Sequence, residues 1–250
     1  MIPSFNDFVS LCRESTKHLP DLFQKASTTA FRKDDGTLVT RLDFDIESYI
    51  RSSIRSAYPK HSIQGEELGT HLEDSCYTWI IDPIDGTFSF CSGSPLFGTL
   101  IGLSENGIPR YGFMRLPLLG DIILYGDNEN SIANAEPLKV KEFNGWSEAL
   151  VLTTDIETIC GSPVTTHWRQ AIKLGATART WGDCYGYYMV CSGRADMMAD
   201  TGLKSMDILP ILPILKGAGA VIQTYGLNDY SNVMACSPSF MAELKSADKD

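Results

Sequence analysis

Apolar and polar positions alternate along this chain with two different periods, and the period changes partway along it. Residues 4 to 28 carry a helical stripe, predicting one amphipathic helix. "FRKDDGTLVT" reads as a hairpin-like connection. "LDFDIESYIRSSIRSAYP" repeats Ile46, Tyr49, Ile50 and Ile54 at helical spacing, and Pro59 follows its end. "YTWIID" has aromatic and β-branched residues without polar alternation, the texture of a strand covered on both faces that stops at Asp82. "LFGTLIGLSENGIPRYGFMRLP" and "GDIILYGD" predict further strands, with a turn at Asn106-Gly107. From 148 onward strand and helix patterns alternate through "EALVLTT", "THWRQAIKLG", "ATARTW", "CYGYYMVCSGR", "ADMMAD", "MDILPILPILKGAG" and "AVIQTYG". The change of texture near 135–148 divides the chain into an α+β half, 1–140, and an α/β half, 141–250. No flexible linker or internal repeat marks the division.

Composition narrows the classes. The 250 residues are 43% hydrophobic and 21% charged, enough for a substantial core. A net charge of -10 disfavours nucleic acid and anionic membrane as partners. A local cation could still reverse the field for a small phosphate ester. The seven cysteines form no CxxC pair and no zinc-spaced cluster with histidine, which argues for a reducing, cytoplasmic setting. The N-terminal stretch lacks the pattern of a secretory signal, and no run reaches the length of a spanning helix.

The candidate chemistry is acidic. In "WIIDPIDGT" two aspartates, Asp82 and Asp85, flank a proline and precede Gly86 and Thr87. Two carboxylates and the Ile84 carbonyl converging on one point suit a hard divalent cation. A solvated Asx turn is the plain alternative for this motif alone. "SIQGEELGT" adds Glu66 and Glu67, which alone read as a solvated turn. Asp207 stands before a long apolar segment, where it could simply cap a helix. "TRLDFDIES" adds Asp43, Asp45 and Glu47, which alone are the charged start of a helix. Taken together they form a distributed carboxylate set. Such a set suits metal-assisted hydrolysis, in which bound cations activate a water and steady the leaving oxygen. The four histidines lie outside these motifs and read as surface residues.

On "GEE", "WIIDPIDGT", the aspartate ahead of an apolar segment with "GAG", and Lys33 to Asp43 as K-x-D-G-T-x-V-T-x-x-D, the chain resembles the inositol monophosphatase family. The likeness spans about residues 30 to 225. It implies a layered αβαβα sandwich, a homodimer, and two or three Mg²⁺ ions. Carried across, Glu66, Asp82, the Ile84 carbonyl and Asp85 hold the first ion, and Asp207 joins Asp82 and Asp85 at a second. Thr87 holds the attacking water, and Asp43 orients Thr87 through a hydrogen bond. Glu66 also positions that water on a weaker third ion, and the Gly86 and Thr87 amides cradle phosphate. "WGDCYGYYMVCSGRAD" looks most like the histidinol-phosphatase branch, in which the aspartate of "GDCY", here Asp183, faces a cationic substrate end. A helix N-cap is the plain alternative for Asp183. Asp200 falls where the family places a substrate-contacting acid. The expected activity is Mg²⁺-dependent hydrolysis of L-histidinol phosphate in histidine biosynthesis. The alternative is inositol 1-phosphate or a broad range of small phosphate monoesters. Met206, where the family usually has an aromatic residue, puts substrate choice in doubt and leaves the metal ligands intact. A catalytically silent metal-binding protein would have lost one of Glu66, Asp82, Asp85, Thr87 or Asp207; all five are present. A calcium-binding loop would hold its acids in one compact segment.

Overall fold

The structure, a computed structural model, describes residues 3–26, 28–34, 36–226 and 230–247. Asp35 of the Lys33–Asp43 motif and residue 27 of the first expected helix lie outside them.

The first stripe is two helices, α1 (Phe5–Thr16) and α2 (Leu19–Lys25), and not one. Pro20 explains the break: it has no N–H to donate and is tolerated only in a helix's first turn, where it sits in α2. A short hairpin, β1 (Ala30–Arg32) with β2 (Leu38–Thr40), leads into α3 (Arg41–Ala57). Thr40 and Asp43 form a reciprocal capping box at its start. Ile46, Ile50 and Ile54 are buried, whereas Tyr49 is half exposed and outside the core.

Next come β3 (Ser62–Gly65), β4 (Thr70–His71), β5 (Tyr77–Asp85), α4 (Thr87–Cys91), β6 (Gly98–Glu105), β7 (Ile108–Leu116), β8 (Ile122–Gly126), β9 (Ser131–Ala133) and β10 (Glu136–Pro137). The β strands pair as an eight-stranded sheet ordered β10-β9-β8-β7-β6-β5-β3-β4, parallel only between β3 and β5. The remaining elements are β11 (Leu150–Leu152), α5 (Ile156–Cys160), α6 (Thr165–Lys173), β12 (Thr177–Arg179), α7 (Asp183–Cys191), β13 (Met197–Thr201), α8 (Ser205–Ile208), α9 (Leu212–Gly217), β14 (Val221–Thr224), β15 (Asn232–Cys236) and α10 (Pro238–Ala247). Their strands form a second sheet ordered β12-β11-β13-β15-β14. α5, β15 and α10 carried no sequence expectation.

Three cores hold five layers together, the middle one reaching from one sheet through the central helices to the other. Phe8 of α1 and Ile50 of α3 pack with Trp79 and Ile81 on one face of the large sheet. Leu100, Met114 and Leu124 on its other face share a core with α7, α9 and Leu152, Met198 and Val233 of the second sheet. Trp168 of α6 and Phe240 of α10 cover that sheet's far side with Val151 and Met197. The architecture is the expected αβαβα sandwich. The apolar segment after Asp207 is two short helices, because Pro210 and Pro213 interrupt the ladder. This segment sits almost on the large sheet's backbone. A Cβ at Gly102 would come within 3.0 Å of Pro210 Cα, and one at Gly126 within 2.8 Å of Ile214 Cα. Small residues in β6 and β8 therefore set how close α8, and with it Asp207, comes to β5.

His61 is buried, contrary to the surface reading of the histidines. Its ring stacks with Tyr58 and Tyr77, and its Nδ1 accepts the Trp79 indole N–H at 3.1 Å. His61→Ala strands that N–H in the core and opens a cavity, so it should destabilise the fold by about 2 kcal/mol. Urea unfolding followed by tryptophan fluorescence measures this, and a change below about 0.5 kcal/mol would contradict the packing described.

Candidate active site

The site begins with a parity problem. In a regular strand, residues an odd number apart face opposite sides, so Asp82 and Asp85 should diverge. β5 does not end at Asp82 as the sequence implied; it runs on to Asp85 through a bulge. Asp82 pairs with Leu100 and Asp85 with Gly98, so one extra residue is accommodated. The bulge returns both carboxylates to one side. Its polar groups are satisfied locally. Pro83 has no N–H, and its carbonyl accepts from Thr99 Oγ1 at 2.7 Å. The Ile84 N–H donates to Asp82 Oδ1 at 3.0 Å, and the Ile84 carbonyl accepts from Thr87 Oγ1 at 2.9 Å. Gly86 then takes a left-handed conformation (φ 88°) that a side chain would strain, and a Cβ there would lie 2.9 Å from Asp183 Oδ2.

Asp207 joins from α8. It is the third residue of that helix and not its N-cap, and its Oδ2 accepts the Lys204 N–H at 2.8 Å. Asp82, Asp85 and Asp207 each bring one oxygen within 4.8 Å of the others. Burial pushes Asp82 and Asp85 well above the usual carboxylate range. Glu66 is the charge that adds most to this at Asp82, and Asp183 at Asp85. Burial also raises Asp207 to about 6. Three crowded carboxylates, all oxygen donors and all disfavoured as bare anions, fit a hard divalent cation. Glu66 lines the same cavity of about 380 Å³ but stands outside this closest group. Its Oε1 meets Lys33 Nζ at 3.3 Å and Lys204 Nζ at 3.4 Å, while Glu67 turns to Lys33 at 2.6 Å.

The hydrogen bond expected between Asp43 and Thr87 is absent. Asp43 Oδ2 accepts from the Thr40 N–H and hydroxyl at 2.7 and 2.6 Å, and its buried Oδ1 has no partner. The Thr87 hydroxyl goes to the Ile84 carbonyl instead. The competing acceptor is local, three residues back across the bulge, so the motif closes on itself.

Asp183 and Asp200 meet in an adjoining chamber of about 150 Å³, lined also by Thr154, Tyr187, Asp85 and Asp207. Asp183 has a left-handed backbone (φ 50°), uncommon for a residue with a side chain. Its side chain does not cap α7; its Oδ2 accepts from Ser89 at 3.3 Å. The next amide, that of Cys184, donates to Asp85 Oδ2 at 2.5 Å, tying α7 to the acidic cluster. Thr154 Oγ1 accepts the Asp183 N–H and donates to Asp200 Oδ2, each at 2.9 Å. Burial raises Asp183 to about 6 and Asp200 to about 8, with the charge of Asp183 the next cause at Asp200. Thr154 and Ser89 were not legible as site residues, since lone hydroxyls in "LTTD" and "TFSF" carry no spacing signal.

The model of the inositol monophosphatase family matches residues 8–245. A protein of Chlorobaculum parvum named histidinol-phosphatase is 33% identical over 226 residues, 90% of this chain and 87% of that relative. A bifunctional phosphatase of Arabidopsis thaliana is 34% identical over 76% of this chain and 55% of its own length. The solved inositol monophosphatase of Zymomonas mobilis superposes with a TM-score of 0.79 at 26% identity, covering all of both chains.

The raised carboxylates fix the sign of a pH dependence. Unfolded aspartates titrate near ~4, so Asp183, Asp207 and Asp200 bind their protons more tightly in the folded chain. Their contribution to stability is complete below about pH 4 and is lost as pH rises through about 6 and then about 8. In EDTA, the melting temperature should therefore fall between about pH 5 and about pH 8, and Asp200→Asn should flatten the upper part of the slope. Circular-dichroism melts decide it: a rising or level wild-type profile in EDTA would contradict the electrostatics.

Proposed function

The chain belongs to the inositol monophosphatase family, and we propose that its phosphate monoester is L-histidinol phosphate, hydrolysed with Mg²⁺ to L-histidinol and phosphate in histidine biosynthesis. One observation carries the choice of substrate. Beside the Asp82–Asp85–Asp207 cluster lies a chamber lined by two more carboxylates, Asp183 and Asp200, with Thr154 linking the Asp183 backbone N–H to the Asp200 carboxylate. A polyol gains little from two buried acids, whereas an amine or imidazolium pairs with them. The histidinol-phosphatase name of the Chlorobaculum parvum relative supports the same reading.

Asp82, Asp85 and Asp207 would hold the ions, with the Ile84 carbonyl and Glu66 as further oxygen donors. Bound Mg²⁺ supplies charge neutralisation for the phosphoryl group and lowers the pKa of water. The protein's own part is placement. Cys184 N–H, Ile84 N–H and Lys204 N–H fix one oxygen on each of the three aspartates. Thr87 Oγ1, already donating to Ile84, keeps lone pairs that can accept a hydrogen bond from the attacking water. Glu66, lining the same cavity, is the carboxylate offered to that water's other proton. Water oxygen bonds to phosphorus as the ester P–O bond breaks; one of the water's protons ends on the departing ester oxygen, giving the alcohol, and the other stays with the phosphate. The Gly86 and Thr87 amides at the start of α4 are the donors offered to phosphate oxygens, and Asp183 and Asp200 orient the substrate's cationic end.

Asp82→Asn should lower phosphate release by ~10²-fold or more, and near-normal Mg²⁺-dependent turnover in that variant would refute the ligand assignment. Phosphate release from L-histidinol phosphate and from inositol 1-phosphate, measured side by side with EDTA controls, tests the substrate. Wild-type protein should prefer the first, and Asp183→Asn should erode that preference by ~10-fold or more. Equal or reversed wild-type rates would keep the metal phosphatase and discard the substrate.

A further inference from the structure

We propose that Glu47 is a positioning residue: together with Arg51 it fixes the turn over residues 65–69 and so sets where Glu66 stands relative to Asp82, Asp85 and Asp207. Glu47 lies on α3, and its side chain is fully buried. A buried carboxylate is tolerated only with partners, and it has three. Its Oε2 accepts the Glu67 N–H at 2.7 Å, and its Oε1 accepts the Leu68 N–H at 3.2 Å and Arg51 Nε at 2.6 Å. Arg51, one helical turn on, donates from Nη2 to the Gly69 carbonyl. Two amides and a carbonyl of one short turn are thus bound to one side-chain pair on one helix. The turn also closes on itself, Gly65 N–H to Gly69 carbonyl at 3.0 Å.

The contact is too close for any side chain at residue 65. A Cβ there would overlap Glu47 Oε1 and lie 2.7 Å from Arg51 Nη2. That gives the glycine of "GEE" a steric reason. Fixing the Glu67 amide, with the Glu67 side chain drawn to Lys33, makes Glu66 the glutamate that lines the cavity. Neither Glu47 nor Arg51 lines it, so their influence on the site passes through the turn.

This inference rests on the reading that Glu66 contributes to cation binding, so the test separates the two. Mn²⁺ binding to the full chain is followed by the electron paramagnetic resonance of the free ion, for wild type, Glu47→Gln, Glu66→Gln and the double variant. Glu47→Gln should weaken Mn²⁺ binding about 10-fold in the wild-type background and by less than about 2-fold when Glu66 is already Gln. Equal weakening in both backgrounds, or none in either, overturns the proposal. Arg51→Met, which leaves the carboxylate in place, should act in the same direction and covers the case in which Glu47→Gln fails to fold. Hydrogen exchange of the metal-free protein gives a readout independent of any ion. Glu47→Gln should speed exchange at the Glu67 and Leu68 amides and leave β5 unchanged, and unaltered exchange at those two amides would equally overturn the proposal. A wild-type chain that binds no Mn²⁺ would refute the metal reading of the cluster, and the exchange result would still decide for or against the clamp.

Discussion

Like charges held in a dry place are the constraint on which this structure turns. Asp82, Asp85 and Asp207 bring oxygens within 4.8 Å of one another. At an effective dielectric of about 20, two such charges at ~4 Å repel by about 4 kcal/mol, before any desolvation. The chain meets this with backbone donors from three places: Ile84 N–H within the bulge, Cys184 N–H at the start of α7, and Lys204 N–H ahead of α8. Each donor comes from the element that must be present for the cluster to exist. The Cys184 bond also ties the start of α7 to the end of β5, whereas the other two are local to β5 and to α8.

That arrangement explains why the site is assembled from both sheets. β5 supplies Asp82 and Asp85 from the large sheet, and β13 supplies Asp200 from the second. The shared core of Leu100, Met114, Cys184, Met198 and Ile211 lies between the two sheets and holds them in register. Backbone irregularity accompanies the site, in the bulge at residues 82–85, the left-handed Gly86 and the left-handed Asp183. Such conformations persist when the surroundings determine them, and at Asp183 the hydrogen bonds from its own N–H to Thr154 Oγ1 and from the Cys184 N–H to Asp85 Oδ2 do so.

Much of this was legible in the chain. The helical stripe of α3, the apolar run of β5 and the Asn106-Gly107 turn follow from local pattern, and the acidic motifs pointed to one cation-binding site before any geometry was known. What escaped depended on contacts between distant residues. Asp82 and Asp85 converge as expected, but the bulge that carries β5 on to Asp85 shows only in the pairing with β6. Glu47 read as a charged helix start because its partners are amides some twenty positions away. His61 read as a surface residue because its burial depends on Trp79 and two tyrosines from other elements. The Thr87 hydroxyl was assigned to Asp43 by resemblance, and a nearer acceptor within its own bulge won it.

The proposed substrate has an electrostatic shape that the cleft matches. Cations held at Asp82, Asp85 and Asp207 would cancel the charge of the phosphate end and leave Asp183 and Asp200 at the other. The cleft would then carry a dipole, and a molecule with phosphate at one end and a cation at the other would align with it. Burial and the charge of Asp183 raise Asp200 to about 8 in the metal-free chain, so its ionised form is disfavoured without a cation beside it. On the proposed reading, a substrate ammonium or imidazolium between the two acids would favour the ionised form of both. A neutral polyol provides no such compensation. On the proposed reading, discrimination would therefore come from the cationic group that Asp183 and Asp200 can pair with.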